Sequence, residues 1–216
     1  KDKNRKRKDF KMKTPRFDDY MWQQCDPDDL WIYDKLILAK KLGHSCGAPG
    51  VCVPTPGKYI VRPITNLLGM GLSARFMHFD QHTDCIKPGN FWCEVFTGRH
   101  LSIDYIDGKQ VDAVEGFRTV GNPLWKWDKW LRVDIHIPFP TILNTIKDKH
   151  YINCEFIDGK LIEVHQRLNQ DLTDSNMGTY SEAIPVWKGS ESRCLKDQGY
   201  TYHIDEDYQR KGFWKK

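Results

Sequence analysis

Apolar and polar residues alternate along two stretches of the chain, Ile103-Asp104-Tyr105-Ile106-Asp107-Gly108-Lys109 and Cys154-Glu155-Phe156-Ile157-Asp158-Gly159-Lys160. A period of two puts successive side chains on opposite faces of a strand. Asp-Gly supplies the positive-φ pair that a two-residue hairpin turn needs. The pattern therefore predicts one hairpin joining 101–106 to 109–114 and a second joining 150–157 to 161–165. Shorter apolar runs predict strands at 58–64, 72–79, 91–96 and 184–187, with Pro63 confining the first to a strand end or edge. Leu30, Trp31, Tyr33, Ile37, Leu38 and Leu42 recur at mostly helical spacing. Asp26 can cap that helix, Pro27 suits its first position, Asp28 and Asp29 complement its dipole, and Lys40, Lys41 and Gly43 close it. A further helix is expected over 140–149. Many antiparallel strands with two or three helices make the class α+β. Residues 191–216 are polar with isolated aromatics, and the pattern assigns them no element.

With 216 residues, the chain can build one sizeable core or two small lobes sharing a cleft. Charged residues at 29% and aromatics at 12% suit a globular protein with a large polar surface, not a disordered one. No apolar run approaches the ~20 residues that span a bilayer, and the charged N-terminus has no apolar leader, so a cytoplasmic chain without a membrane partner is expected. The formal charge of +4 is concentrated in residues 1–13, KDKNRKRKDFKMK. Such an arm could meet a polyanion, but a solvated, poorly ordered end is its ordinary form, and nucleic acid is not an expected partner. The seven cysteines are scattered without a C-x-x-C pair and are expected to be reduced. His44-x-Cys46-x5-Cys52 lacks the second half of a zinc site. Trp125, Trp127 and Trp130 could stack on bases, although burial is the usual fate of tryptophan.

The segment 153–167 concentrates chemistry. A turn at Asp158-Gly159 sets Glu155 near Leu161 or Ile162, with Glu163 about one same-face step away. Glu163, His165 and Arg167 then share one face, and Ile162 and Val164 take the other. Close carboxylates repel unless a cation lies between them, and Mg²⁺, a hard ion that takes oxygen ligands, is the natural occupant. On spacing alone, the solvated polar face of an edge hairpin is the plainer reading.

Four motifs, in order, change that weighting. Asp34-Lys35 is similar to the "DK" that precedes a small-lobe helix. Tyr59-Ile60-Val61-Arg62-Pro63, with Gly69-Met70-Gly71 after it, is similar to a "vvKP…GxG" strand and phosphate-covering loop. Cys93-Glu94-Val95-Phe96-Thr97-Gly98-Arg99, running on to Asp104, is similar to a hinge "vqEfi.Gre.svd". Asn153-Cys154-Glu155 with Glu163-Val164-His165-Gln166-Arg167 is similar to a metal pair "nvEf…iEiNpR". Together, over roughly residues 30 to 171, the chain resembles the ATP-grasp ligases, the superfamily of biotin carboxylase and D-alanine–D-alanine ligase.

The resemblance implies two α+β lobes with antiparallel sheets enclosing ATP: a small lobe at 26–93 and a large lobe at 94–185, with a basic tail at 1–25 and an extension at 186–216. It implies that Lys35 and Arg62 hold phosphates, that Glu94 with the backbone of Val95 and Phe96 reads the adenine edge, and that Asp104 lies near the ribose. Glu155, Glu163 and His165 would hold Mg²⁺ or Mn²⁺, and Arg167 would steady the transferring phosphoryl group. The implied reaction makes an acyl phosphate from a small-molecule or peptide carboxylate for attack by an amine-type nucleophile, and a partner subunit, homodimer or the C-terminal extension would complete the substrate site. The sequence departs from the family at three points. His165 stands where Asn is usual, Arg62 stands where Lys is usual, and the loop 65–71 has fewer glycines. Imidazole suits Mn²⁺ better than Mg²⁺. A non-catalytic nucleotide-binding or docking protein on the same fold is the alternative. A polynucleotide-ligase-type enzyme, suggested by Glu115-Gly116-Phe117 and the basic arm, would need a lysine nucleophile in K-x-D-G. Neither Asp-Gly pair here has one.

Overall fold

The computed structural model describes residues 18–65, 71–172, 180–190 and 194–216, so the basic run at 1–13 and loop residues 66–70 lie outside the described residues. In chain order come α1 (Asp18–Gln24), a 3₁₀ helix (Pro27–Tyr33) and α2 (Lys35–Lys41), then β1 (Cys46–Gly47), β2 (Gly57–Pro63), β3 (Arg75–Phe79) and β4 (Asn90–Cys93). Next are β5 (His100–Ile106), β6 (Lys109–Phe117), β7 (Lys129–Arg132), a 3₁₀ helix (Thr141–Ile146), β8 (Tyr151–Ile157) and β9 (Lys160–His165). The chain closes with β10 (Glu182–Trp187), a 3₁₀ helix (Lys196–Gln198), β11 (Thr201–Asp207) and β12 (Arg210–Lys215). Two sheets result, one of four strands in the order β1-β4-β2-β3 and one of eight in the order β11-β12-β10-β7-β6-β5-β8-β9. All their pairings are antiparallel, and the class is α+β.

Both Asp-Gly hairpins form. Asp107 and Asp158 have φ of 50° and 49°, and the glycines after them 71° and 74°, the double left-handed geometry that twists a two-residue turn to match its strands. The second hairpin differs from the expected register in one respect. Ile157 pairs with Lys160 and Phe156 with Leu161, but the ladder then shifts and Glu155 faces Glu163 directly. This bulge places one extra residue, Ile162, on β9, so that Ile162 and Glu163 both border the cleft while Val164 enters the core.

The expected helix over 26–43 is two helices. Asp26 accepts a hydrogen bond from the Asp28 amide at 3.1 Å and starts the 3₁₀ helix, but Asp34 is extended (φ −88°, ψ 98°) and its Oδ1 accepts from the Ile37 amide at 2.8 Å. Asp34 thus caps a new helix and redirects the chain, a choice a short carboxylate makes readily. Of the helix expected at 140–149, only the 3₁₀ stretch forms, burying Leu143 and Ile146. The 191–216 region supplies the β11–β12 hairpin, with 191–193 outside the described residues.

The main core lies between the eight-stranded sheet and the helical segments, with Leu38, Ile103, Tyr105, Ile152, Cys154 and Val164 all nearly inaccessible. Val53, Tyr59, Val61, Phe79 and Trp92 make a second core on the four-stranded sheet. Alternation along β8 buries Cys154 in the main core and turns Glu155 to the opposite face. There the two sheets face each other, and Arg62 Nη2 on β2 donates to the Ile162 carbonyl on β9 at 3.1 Å. The cysteines are free, and no described helix is long and apolar enough to cross a membrane.

Candidate functional site

A cleft runs between the sheets. Lys35, Arg62, Cys93 and the connection Glu94-Val95-Phe96 line it on one side, and Ser102, Asn153, Glu155, Glu163, Arg167 and Asn169 on the other. Trp127, Trp130, Trp187, Asp205, Arg210 and Phe213 close one end, so β10, β11 and β12 contribute to the same space. Trp127 and Trp130 pack at 4.5 Å between ring centroids, and the Trp127 ring meets His100 at 4.6 Å. These tryptophans are packed wall, as burial predicts.

The charged floor is ordered by direct contacts. Lys35 Nζ lies 2.9 Å from Glu163 Oε1, with both side chains nearly enclosed. His100 Nε2 lies 3.3 Å from Glu155 Oε2. His165 Nε2 is 3.6 Å from Glu163 Oε1 and 3.9 Å from Glu155 Oε1. Behind them Asp18, fully buried on α1, uses Oδ2 to hold His165 Nδ1 at 2.8 Å and Arg167 Nε at 3.1 Å. Burial alone would raise the pKa of Glu155, but His100, His165 and Arg167 hold it well below the usual carboxylate range. Burial likewise acts to raise that of Asp18, and His165 and Arg167 overcome it, so its pKa is lowered. Burial opposes charging of His165, yet the Asp18 carboxylate leaves its pKa raised above the ordinary imidazole value.

Each predicted residue can now be located. Glu155, Glu163 and Arg167 meet Lys35 and Arg62 across the cleft. Arg62 is buried, packs over the Phe91 ring at 5.2 Å, and has an Nε without a hydrogen-bond partner. Val95 and Phe96 border the cleft, but the Glu94 side chain accepts from the Ser45 amide at 2.8 Å. Asp104 sits below the cleft floor, 2% exposed, and accepts from Asn153 Nδ2 at 2.8 Å and from the Asn169 amide at 2.9 Å. Its burial pushes its pKa up to about 7, against the hydrogen bonds from Asn169 and Asn153. His165 also lies behind the floor, 2% exposed. Among the described residues, no three His, Cys, Asp or Glu side chains stand gathered as a metal centre, and the Glu163 carboxylate is engaged by Lys35 instead.

Sequence reasoning missed Asp18, which lies 147 residues from His165 along the chain and within the segment read as a solvated tail. It also missed Asn169, whose side chain donates to Ser102 Oγ at 2.8 Å and braces the floor. Its only signal is proximity to the 163–167 motif.

No protein-family model matches the chain, and no curated protein matches it in sequence. Solved ATP-grasp structures are similar to it. An ATP-grasp superfamily protein from Archaeoglobus fulgidus is 14% identical with a TM-score of 0.46, over 74% of this chain and 59% of that one. An L-amino acid ligase from Bacillus licheniformis is 10% identical with a TM-score of 0.44, over 86% of this chain and 66% of that one. D-alanine–D-alanine ligase from Bacillus anthracis, complexed with ATP, is 12% identical with a TM-score of 0.34, over 63% of this chain and 55% of that one. The chain thus spans less than two-thirds of the length of each.

Proposed function

We propose that the chain binds ATP in the cleft between its sheets and transfers the γ-phosphoryl group to a carboxylate, forming an acyl phosphate that an amine-type nucleophile attacks. The observation that carries this reading is the convergence, across one cleft, of Lys35 and Arg62 from one side with Glu155, Glu163 and Arg167 from the other. Phosphoryl transfer asks a protein chiefly for positioning and for charge neutralisation around the transferring group. Lys35 and Arg62 supply cations to the phosphates, and the unpartnered Arg62 Nε is a donor awaiting an oxygen. The backbone of Val95 and Phe96 borders the adenine end. Arg167, held by Asp18, would steady the transferring phosphoryl group.

Glu155 and Glu163 are the residues that would meet a divalent ion in this reading; as they stand they do not close around one, because Lys35 engages Glu163 and His165 lies buried behind the floor. A bound Mg²⁺ or Mn²⁺ would offset phosphate charge there. Asp104, enclosed below the floor, serves in this reading to hold Asn153 and Asn169 rather than to meet ribose.

A second reading, nucleotide binding without catalysis, is favoured by one observation: Lys35 engages Glu163, and the acidic pair is not closed around an ion position. Calorimetric titration with ATP in MgCl₂ or MnCl₂ tests binding. Glu163→Gln should weaken its metal-dependent part, and unchanged affinity would refute Glu163 as a ligand. ADP release in the presence of amino acids or peptides separates turnover from mere binding.

A further inference from the structure

Two of the cysteines scattered along the sequence stand side by side in the fold. Cys46 on β1 and Cys93 on β4 are direct antiparallel partners. The next bond of that ladder runs from the Glu94 amide to the Ser45 carbonyl at 2.8 Å. A bond between these flanking residues makes Cys46 and Cys93 a non-hydrogen-bonded pair, with Cα atoms about 4.5 Å apart and side chains on the same face. A disulfide needs Cα atoms about 4.4–6.8 Å apart, so little backbone movement is required. Both side chains pack in one cluster with Ala39 and Phe91. Cys93 is 1% exposed and borders the cleft, one residue before the connection Glu94-Val95-Phe96. Cys46 is half-buried and so within reach of a small reagent.

We propose that Cys46 and Cys93 form a thiol–disulfide site that staples β1 to β4 at the border of the cleft, with a small organic disulfide of the glutathione class as oxidant. The Cys46 thiolate attacks that disulfide, forming a mixed disulfide and releasing one small thiolate. Cys93 Sγ then attacks Cys46 Sγ and displaces the second. The two protein thiols lose two electrons, the small disulfide gains them, and the two thiol protons end on the two small thiols released. Burial raises the pKa of Cys46 and pushes that of Cys93 up to about 12. The exchange is therefore slow near neutrality and accelerated by base, and the enclosed bond, once made, is shielded from external thiols. Ser45 and Glu94 already join these strands beside the pair. The disulfide makes that join covalent, so the redox state sets the rigidity of this border. The inference does not depend on the nucleotide reading.

Cys52 and Cys85 are exposed and share tryptic peptides with Cys46 and Cys93, so the test uses the full chain carrying Cys52→Ser and Cys85→Ser. The folded protein is incubated with oxidised glutathione at pH 7, 8 and 9, alkylated, and digested without reduction. The expected product is a linked pair of peptides, formed about tenfold faster per pH unit and separated by dithiothreitol. Closing the loop between residues 46 and 93 should raise the thermal midpoint by about 8–16 °C. Cys46→Ser in the same background should abolish both the link and the shift, and Cys93→Ser should stop at the mixed disulfide on Cys46. Recovery of the two cysteines on separate peptides, alkylated or joined only to glutathione, overturns the proposal. So does a midpoint shift that survives Cys46→Ser. If Cys93→Ser does not fold by circular dichroism, the half-buried Cys46→Ser decides alone.

Discussion

Replacing Asp104 with Asn tests whether the sheet beneath the cleft encloses a carboxyl group that holds its proton near neutrality. Asp104 is 2% exposed and bonded by Asn153 and Asn169, with no cation among its direct partners. Its pKa rises from the ordinary 3.8 to about 7. Because the folded state binds this proton more tightly than the unfolded chain, the stability it contributes is complete below about pH 4 and is lost as pH rises through about 7. A pKa change of that size corresponds to about 4 kcal/mol, of which about 2–3 kcal/mol is lost between pH 5 and pH 8. The asparagine variant has no such proton. Whatever constant offset the new amide introduces against the Asn169 amide, the difference in stability between variant and parent should move in the variant's favour across that range.

Urea unfolding followed by tryptophan fluorescence at pH 5, 6, 7 and 8 measures this directly. With a slope of about 2–3 kcal/mol per M, the gap between midpoints should change by about 1 M. Parallel midpoints would refute the reasoning and place a charged, compensated Asp104 in the folded state. The same variant bears on function. An enclosed Asp104 predicts a change in ATP affinity below about threefold, whereas a ribose contact predicts a loss of about tenfold.

Lys35→Met strands the Glu163 carboxylate in an enclosed position and should destabilise the fold by about 3–5 kcal/mol, with much of the loss recovered in Lys35→Met/Glu163→Leu because both charges then leave; a double variant no more stable than the single one in urea would show that the pair is not coupled. Gly116→Ala brings a methyl group within 2.5 Å of the Trp130 ring and 2.8 Å of Trp127. Overpacking there should reduce stability by about 1–3 kcal/mol and shift tryptophan emission, and a thermal melt matching the parent would contradict it.

The elements legible in the sequence are those whose causes are local. Asp107-Gly108 and Asp158-Gly159 specify their turns through φ alone, and the alternation beside them sets which face is buried, so both hairpins follow from a dozen residues each. Asp34 was visible as part of a motif but not as a cap. Helical periodicity runs through it, and only the competition between its carboxylate and the continuing helix decides the break. The β11–β12 hairpin turns at Tyr208 with a φ of 42°, a left-handed residue that is neither Gly, Asn nor Asp, so no turn signal announced it. Asp18 was illegible because nothing near it in sequence explains it; its partners come from the far end of the large sheet.

The bulge at Glu155/Phe156 joins the two kinds of case. Strict period-two pairing would leave Glu155 and Glu163 out of register, yet the fold spends an extra residue, Ile162, to bring them face to face. Ion pairing is a poor reason to do so, since two carboxylates set opposite each other repel and, when buried, resist ionisation together. The arrangement becomes favourable only with cations around it. Lys35, His165 and Arg167 stand around it and the His100 ring nitrogen lies 3.3 Å from Glu155, groups drawn from three separate places in the chain. A register irregularity that gathers like charges and then encloses them with opposite ones is what a polyanion-and-cation site needs and what a purely structural sheet avoids. The departure from the simple period is therefore the part of this hairpin that a function has to explain.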